Sequence, residues 1–192
     1  MLWPQHLEHE TSWRQKKDKS LIYGSATDFR FDLLTKGDSD LPKVAIIMGS
    51  PSDKEVMAAA EDYLNHFDID FEVRISSAHR NPGETSAFAR TAEENGFSAI
   101  IAGAGMAAHL PGVIASYTSL PVIGVPLAGS ALNGIDALYS IVQMPKGVPV
   151  ASMAVGKAGA INAAIFVAEI FALQYPDIKE KLVRFKDNGC TL

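Results

Sequence analysis

Residues 44–48 form a run of apolar side chains that leads directly into Gly49 and a short polar segment, residues 50–53. An apolar run bounded by a turn signal predicts a buried strand, and the amphipathic pattern that follows predicts a helix. Unpaired backbone N–H groups at a helix start suit an anion such as a phosphate. Capping of the helix by Ser52 or Asp53 explains the same residues without a ligand. Taken alone, the segment favours capping.

From residue 44 onward, short apolar runs alternate with amphipathic segments. Strands are predicted at 44–48, 71–75, 99–102, 122–125 and within 148–155, and helices at 53–66, 81–96, 134–142, 157–173 and 177–186. The second helix begins with Asn81 as N-cap and Pro82 at its first position, and it ends at Gly96. This alternation predicts right-handed βαβ units and a parallel sheet that helices cover on both faces.

Ligands of parallel α/β sheets bind beyond the carboxyl ends of the strands. This rule selects four loops, at residues 49–53, 76–81, 103–110 and 126–132. In the second loop, His79 directly follows a strand and can act as an acid or base near neutral pH. Arg80 can hold a phosphate or carboxylate with its fork of N–H donors. Considered alone, the loop is explained better without a ligand, by a His79 that hydrogen-bonds to the backbone and an Arg80 that is a surface charge.

The third loop contains the pattern G-x-G-x-x-A, beginning at Gly103. Its match to the dinucleotide fingerprint is weak, because it follows the third strand and has no acidic residue about twenty positions later. A glycine turn that brings the backbone close to a ligand is the plainer interpretation. For His109 we favour a structural or supporting role. Lys157 does not belong to a phosphate loop. Ala151 stands where that motif requires Gly, and Ala158 stands where it requires Ser or Thr.

Composition excludes several classes of protein. The net charge of the chain is −5, so its overall electrostatics do not support a role in binding nucleic acid. A single cysteine, Cys190, excludes a disulfide framework within one chain and favours a reducing cytoplasm. The sequence contains no run of 18 apolar residues, the length that would predict a membrane span. Residues 1–42 are expected to be an N-terminal extension, partly ordered at best, without a signal-peptide pattern. Residues 43–192 are expected to form a single catalytic α/β domain with C-terminal helices.

Four segments in combination are far more specific than any one of them. Residues 48–53 (MGSPSD), 77–80 (SAHR), 103–112 (GAGMAAHLPG) and 143–149 (QMPKGVP) occur in this order. Together they resemble the class I N5-carboxyaminoimidazole ribonucleotide mutases of purine biosynthesis, over about residues 43–175. The resemblance implies a three-layer α/β/α fold with a central parallel sheet, of the flavodoxin/Rossmann-like class. It also implies a homo-octamer that needs no cofactor and no metal.

The resemblance also implies roles for individual residues. His79 matches the family's catalytic histidine, and Ser50, Asp53 and Arg80 match its substrate-binding positions. The remaining expected site residues are Ser52, Ser77, Ala78, Gly105, Met106, His109 and Leu110. Met106 stands where many members have a second glycine. The related carboxylase of animals typically has Lys after the histidine and lacks Ala-Ala-His-Leu-Pro-Gly, so Arg80 and residues 107–112 favour the mutase.

The expected reaction moves a carboxylate from the exocyclic nitrogen to ring carbon C4 of one ribonucleotide, by decarboxylation and recarboxylation with His79 as proton carrier. One alternative is a carboxylase that uses CO₂ directly on aminoimidazole ribonucleotide. Another is a non-catalytic nucleotide-binding module, which would not need His79. The helix at 157–173 is apolar on most faces, which predicts that it lies between subunits of a symmetric oligomer.

Overall fold

The computed structural model describes residues 41–192. The expected N-terminal extension therefore lies almost entirely outside the described residues. In chain order the elements are β1 (Lys43–Met48), a 3₁₀ turn (Pro51–Asp53), α1 (Lys54–Met57), α2 (Ala59–His66), β2 (Asp70–Ile75), α3 (Pro82–Thr91), β3 (Phe97–Gly105), α4 (Leu110–Ala115), β4 (Val122–Leu127), α5 (Ile135–Val142), β5 (Ala151–Ser152), α6 (Lys157–Phe171) and α7 (Pro176–Asp187).

The strands of residues 41–192 form one sheet of five parallel strands in the order β2-β1-β3-β4-β5. β1 lies between β2 and β3, so Val44 is opposite Phe71 on one side and Ala99 on the other. The chain runs first to one side of β1 and then to the other, which makes the pair β1 and β3 the topological switch point. This order confirms the predicted parallel sheet of the flavodoxin-like class.

Both faces of the sheet are covered, which is why β1 is apolar at every position from 44 to 48. Val44, Ile46 and Met48 pack into the core shared with α2, α6 and α7. Ala45 and Ile47 pack into the opposite core, which α3, α4 and α5 complete. Successive side chains of a strand point to opposite faces, so an alternating pattern would have left one face polar. The three-layer α/β/α architecture is therefore confirmed.

Several element boundaries differ from the sequence predictions. The first predicted helix is divided into the 3₁₀ turn, α1 and α2. Its cap is Ser50, whose Oγ accepts from the Ser52 amide at 3.4 Å, rather than Ser52 or Asp53. Asn81 occupies the N-cap position of α3 but makes no side-chain capping bond. α3 ends at Thr91, and Gly96, with a φ of +83°, instead closes the turn that follows.

α4 was not predicted at all. It has six residues and directly follows the glycine-rich loop, so it is too short to show a helical period. Its Leu110 and Ile114 are buried against the sheet. The amide of Val113 donates to the carbonyl of His109 at 2.9 Å, which makes His109 the residue at the helix start.

Helix α6 packs on β3 and β4, with α2 and α7 beside it. Six of its apolar residues are buried within the single chain: Ala160, Ala163, Ala164, Val167, Ala168 and Phe171. A Cβ atom on Gly159 would lie 1.7 Å from the carbonyl oxygen of Ala154, so only glycine allows this approach. Much of the apolar character of α6 is thus explained without a second subunit. No helix in residues 41–192 is long and apolar enough to cross a membrane.

Candidate active site

A cleft of about 380 Å³ opens where the loops after β1, β2 and β3 meet. All of the expected site residues line it: Ser50, Ser52, Asp53, Ser77, Ala78, His79, Arg80, Gly105, Met106, His109 and Leu110. Four residues outside the expected set line it too, namely Gly49, Ala104, Ala107 and Gly129. These four are small, and only their positions in or beside the selected loops could have indicated them. From the fourth loop, only Gly129 reaches the cleft.

The loop after β1 brings small hydroxyl groups to one end of the cleft. The Oγ atoms of Ser50 and Ser52 are hydrogen-bonded at 2.9 Å. The Asp53 amide donates to the Ser50 carbonyl at 3.1 Å, which closes the turn. In the loop after β2, the amide of Arg80 donates to the Ser77 hydroxyl at 3.3 Å. Both loops are thus held by their own serines, and their polar groups face a common space.

Asp53 is a half-buried carboxyl group in this polar corner. Burial raises the pKa of Asp53 above its ordinary value of 3.8. Hydrogen bonds from the Ser50 backbone and the Ser52 hydroxyl, together with the positive charge of Arg80, act in the opposite direction. Desolvation outweighs these three effects, so burial disfavours the ionised form of Asp53. A ligand hydroxyl that donates to Asp53 would favour that form.

His79 and His109 meet in the cleft from two different loops. Nε2 of His79 lies 2.9 Å from Nδ1 of His109, and the ring planes are inclined by 78°. One ring nitrogen must donate and the other accept, so the donor and acceptor roles of the two rings are linked. The sequence favours a structural or supporting role for His109, and the structure places it in direct contact with His79. The contact joins residues 30 positions apart, so no local pattern could have indicated it.

The third loop exposes its backbone to the cleft. A Cβ atom on Gly105 would lie 3.2 Å from the carbonyl oxygen of Leu127, which leaves little room for a side chain. Met106 follows with a φ of +55°, and its carbonyl accepts from the Ala108 amide at 2.9 Å. The His109 amide donates to Ala107 at 2.8 Å. These tight turns carry the chain from the end of β3 to the histidine pair.

The cleft therefore combines groups whose chemistry suits anions and sugars with a pair of groups that are able to exchange protons. Arg80 supplies a cation, Asp53 a carboxylate and the serines neutral hydroxyls. Histidine is the side chain best suited to giving and taking protons near neutral pH. Within residues 41–192, no three His, Cys, Asp or Glu side chains are grouped as a metal site requires. Fold and cleft together define a flavodoxin-like α/β protein with a candidate site at the switch point of the sheet.

Comparison with known proteins identifies the family. The model of the family described as AIR carboxylase matches residues 43–190. The N5-carboxyaminoimidazole ribonucleotide mutase of Pyrococcus abyssi is 55% identical over 77% of this chain and 84% of its own length. The mutase of the same name from Escherichia coli K12 is 51% identical over 73% of this chain and 83% of its own. The chain belongs to the AIR carboxylase family, as the four motifs predicted.

A solved structure supports the same assignment. The crystal structure of Treponema denticola PurE superposes with a TM-score of 0.71 and 27% sequence identity, over 78% of this chain and 92% of that one. The match therefore covers nearly the whole of that protein. The residues before about 43 lie outside the family match.

Proposed function

We propose that this protein converts N5-carboxyaminoimidazole ribonucleotide to 4-carboxy-5-aminoimidazole ribonucleotide, a step of purine biosynthesis. The observation that carries the proposal is the hydrogen-bonded pair His79 and His109, in one cleft with Arg80 and Asp53. The names of the relatives, which are mutases at about half identity, support the same reaction. A binding module would need the anion-binding groups but not a proton-exchanging pair.

The polar corner of the cleft is suited to the ribose and phosphate of the substrate. Arg80 and the Ser52 hydroxyl are its natural partners for phosphate, because a guanidinium and a hydroxyl both donate hydrogen bonds. Asp53 repels phosphate and instead accepts from a ribose hydroxyl, as acidic residues do in nucleotide sites. The heterocycle then extends towards His79 and His109, where the proton transfers take place.

The proposed chemistry balances through one proton carrier. The bond between the exocyclic nitrogen and the carboxylate breaks, its electron pair stays on nitrogen, and His79 donates a proton there as CO₂ is released. Ring carbon C4 attacks the retained CO₂, so C4 briefly carries both its hydrogen and the new carboxylate. His79 then removes that hydrogen as a proton, which restores the aromatic ring and the original protonation state. General acid–base catalysis of this kind contributes on the order of 10²–10⁴ in rate.

His109 acts in this scheme through its hydrogen bond to His79. The 2.9 Å contact orients the His79 ring and links its tautomer to that of His109. The short turns that end at His109 place it at the start of α4, whose Leu110 and Ile114 are buried. His109 is thus proposed to position the proton carrier.

Two assays run side by side test the proposal. Purified protein is given N5-carboxyaminoimidazole ribonucleotide without ATP, metal or added bicarbonate, and separately aminoimidazole ribonucleotide with bicarbonate. We expect rapid conversion in the first assay. Efficient turnover only in the second would identify a carboxylase instead. Binding of both nucleotides without turnover would identify a binding module.

We further propose that the protein is a homo-oligomer, an octamer by analogy with its family. The exposed apolar surface of a single chain supports assembly better than α6 does. Four large residues on and just before α5 are between 49% and 63% exposed: Leu132, Ile135, Tyr139 and Val142. A contiguous apolar patch of this kind marks an interaction surface. A sedimentation experiment that finds only monomers at micromolar concentration would contradict the proposal.

A further inference from the structure

Two buried hydroxyl side chains flank the loop that carries His79. Ser76 is 8% exposed and Thr85 is 1% exposed, and within residues 41–192 they are the two polar residues that are buried as whole residues. Their hydroxyl oxygens lie 2.8 Å apart in one hydrogen bond. A buried hydroxyl pair gains little stability over two apolar side chains of the same shape. Stability alone therefore does not explain the pair, whereas a role in fixing local geometry does.

The pair joins the strand before this loop to the helix after it. Ser76 directly follows β2, and its amide donates to the Met48 carbonyl of β1 at 2.9 Å. Thr85 is the fourth residue of α3. The loop between them carries both His79 and Arg80. The Ser76–Thr85 hydrogen bond, here called the hydroxyl clamp, thus ties the start of the loop to the sheet and to α3.

The loop also has an internal turn. The Asn81 amide donates to the Ser77 carbonyl at 2.7 Å, and the Thr85 amide donates to the Asn81 carbonyl at 3.0 Å. With the hydroxyl clamp, these bonds enclose residues 76–85 in one ring of hydrogen bonds. The turn sets the shape of the loop, and the hydroxyl clamp sets where the loop lies on α3.

Side chains do not pack closely on every side of the hydroxyl clamp. A second cavity, of about 170 Å³, borders Ser76 and Thr85 and is also lined by Ile47, Arg74 and Phe88. None of the residues that line this cavity lines the cleft. Because side chains leave this space beside the clamp, packing alone does not hold the start of the loop in one position.

We propose that Ser76 and Thr85 are positioning residues, whose hydroxyl clamp fixes the loop after β2 and thereby sets the contact between His79 and His109. This inference rests on the proposed function, in which His79 carries the proton. The two ring nitrogens are 2.9 Å apart, and a displacement of about 1 Å is enough to break a hydrogen bond. Neither clamp hydroxyl lines the cleft, so both act on the reaction only through the loop.

Removal of one hydroxyl can be separated from removal of both. Ser76→Ala and Thr85→Val each leave one buried hydroxyl without its partner, so both single variants should melt below the wild type. The double variant leaves no unpaired hydroxyl and should melt close to the wild type. Its turnover should nevertheless be roughly two- to tenfold lower, the decrease expected for loss of the histidine contact itself.

Two further variants serve as controls. Thr85→Ser keeps the hydroxyl and should retain both the turnover and the His79 ring ¹⁵N signals of the wild type. Thr91→Val makes the same change as Thr85→Val on the same helix. The exposed Thr91 hydroxyl donates to the Ala87 carbonyl at 3.2 Å and borders neither the cleft nor the second cavity. Turnover and ring signals should be unchanged in this variant.

A double-mutant cycle tests whether the hydroxyl clamp acts through the histidine contact. In the wild-type background, loss of both hydroxyls should lower turnover and change the ring ¹⁵N signals of His79. In a His109→Ala background the contact is already absent, so loss of both hydroxyls should lower turnover no further. Additive decreases would show that the clamp acts on something other than the contact, which would overturn the inference.

The two proposals can fail separately. If the double variant matches the wild type in turnover and in the His79 ring signals, the hydroxyl clamp is only structural, and the inference fails while the proposed function stands. If the wild type converts neither substrate, the proposed function fails. The ring ¹⁵N signals then decide by themselves whether the clamp sets the histidine contact, because they require no turnover.

Discussion

Nε2 of His79 and Nδ1 of His109 lie 2.9 Å apart, so the two imidazoles share one hydrogen bond across the cleft. The loop after β2 carries His79, and the turn before α4 carries His109. Since β1 lies between β2 and β3, the contact spans the switch point of the sheet. This distance, and with it the orientation of the His79 ring, depends on the positions of these two loops.

Replacement of His79 by asparagine should abolish most of the turnover and leave folding intact. Asn keeps a hydrogen-bonding group of similar size but cannot carry a proton, so we expect turnover to fall by a factor on the order of 10²–10⁴. Nucleotide binding should persist, and exchange of the C4 hydrogen of product analogues with solvent should stop. His66→Asn is the matched control, because His66 is exposed on α2 outside the cleft. Near-normal turnover in His79→Asn would assign the proton transfer to another residue, with His109 the next to test.

Replacement of His109 by alanine should have a smaller effect of a different kind. Loss of one neutral hydrogen bond, worth about 0.5–1.5 kcal/mol, corresponds to a roughly two- to tenfold decrease in turnover. The ring ¹⁵N signals of His79 should change as well, because the partner that links its tautomer is gone. Unchanged His79 signals in this variant would show that the contact does not exist in solution.

Arg80→Ala should weaken binding of the substrate by about 1.5–3 kcal/mol, the usual worth of a hydrogen bond to a charged group. The effect should decrease for a ligand without a phosphate. Arg90→Ala provides a control of equal charge change, because the exposed Arg90 stacks over Tyr117 and does not line the cleft. Equal dissociation constants for wild type and Arg80→Ala would remove Arg80 from the phosphate site.

Asp53→Asn should stabilise the empty protein at neutral pH while weakening its binding of nucleotide. Burial raises the pKa of Asp53, so the folded state holds this proton more tightly than the unfolded state does. The contribution of Asp53 to stability is therefore fully present below its ordinary pKa of 3.8 and is lost as the pH rises through the raised pKa. Melting curves from pH 3 to 8 should show the advantage of the variant growing over that window. A variant that melts below the wild type at pH 7 would show that the polar contacts of the carboxylate outweigh its burial.

Two helix glycines should respond in opposite directions to the same substitution. Gly159→Ala places a methyl group against the Ala154 carbonyl and should lower the free energy of unfolding by about 1–3 kcal/mol. Gly83→Ala meets no atom within 4 Å and should raise stability by up to about 1 kcal/mol, because alanine favours the helix. Urea midpoints at one protein concentration compare the two. If Gly159→Ala is neutral, α6 can move away from the loop before it.

Local patterns in the amino-acid sequence were enough to predict the layers of the fold and the loops of the site. The apolar residues of β1 and of the later strands are local signals, and their alternation with helical segments leaves a parallel sheet as the solution. The rule that ligands bind at the carboxyl ends of such strands then selected the loops that contain His79, Arg80 and His109. The family motifs added the residue roles that no local pattern contains.

How these loops meet depends on packing in three dimensions, which no local pattern contains. The sequence does not predict α4, because a segment of six residues is too short to show a helical period. The first helix is divided, and Ser50 rather than Ser52 or Asp53 caps its start. The strain at Met106 is a backbone angle, which the identity of the residue does not reveal. The contact of His79 with His109 depends on the positions of β1, β2 and β3, because hydrogen bonds act over 3 Å and the two residues are far apart along the chain.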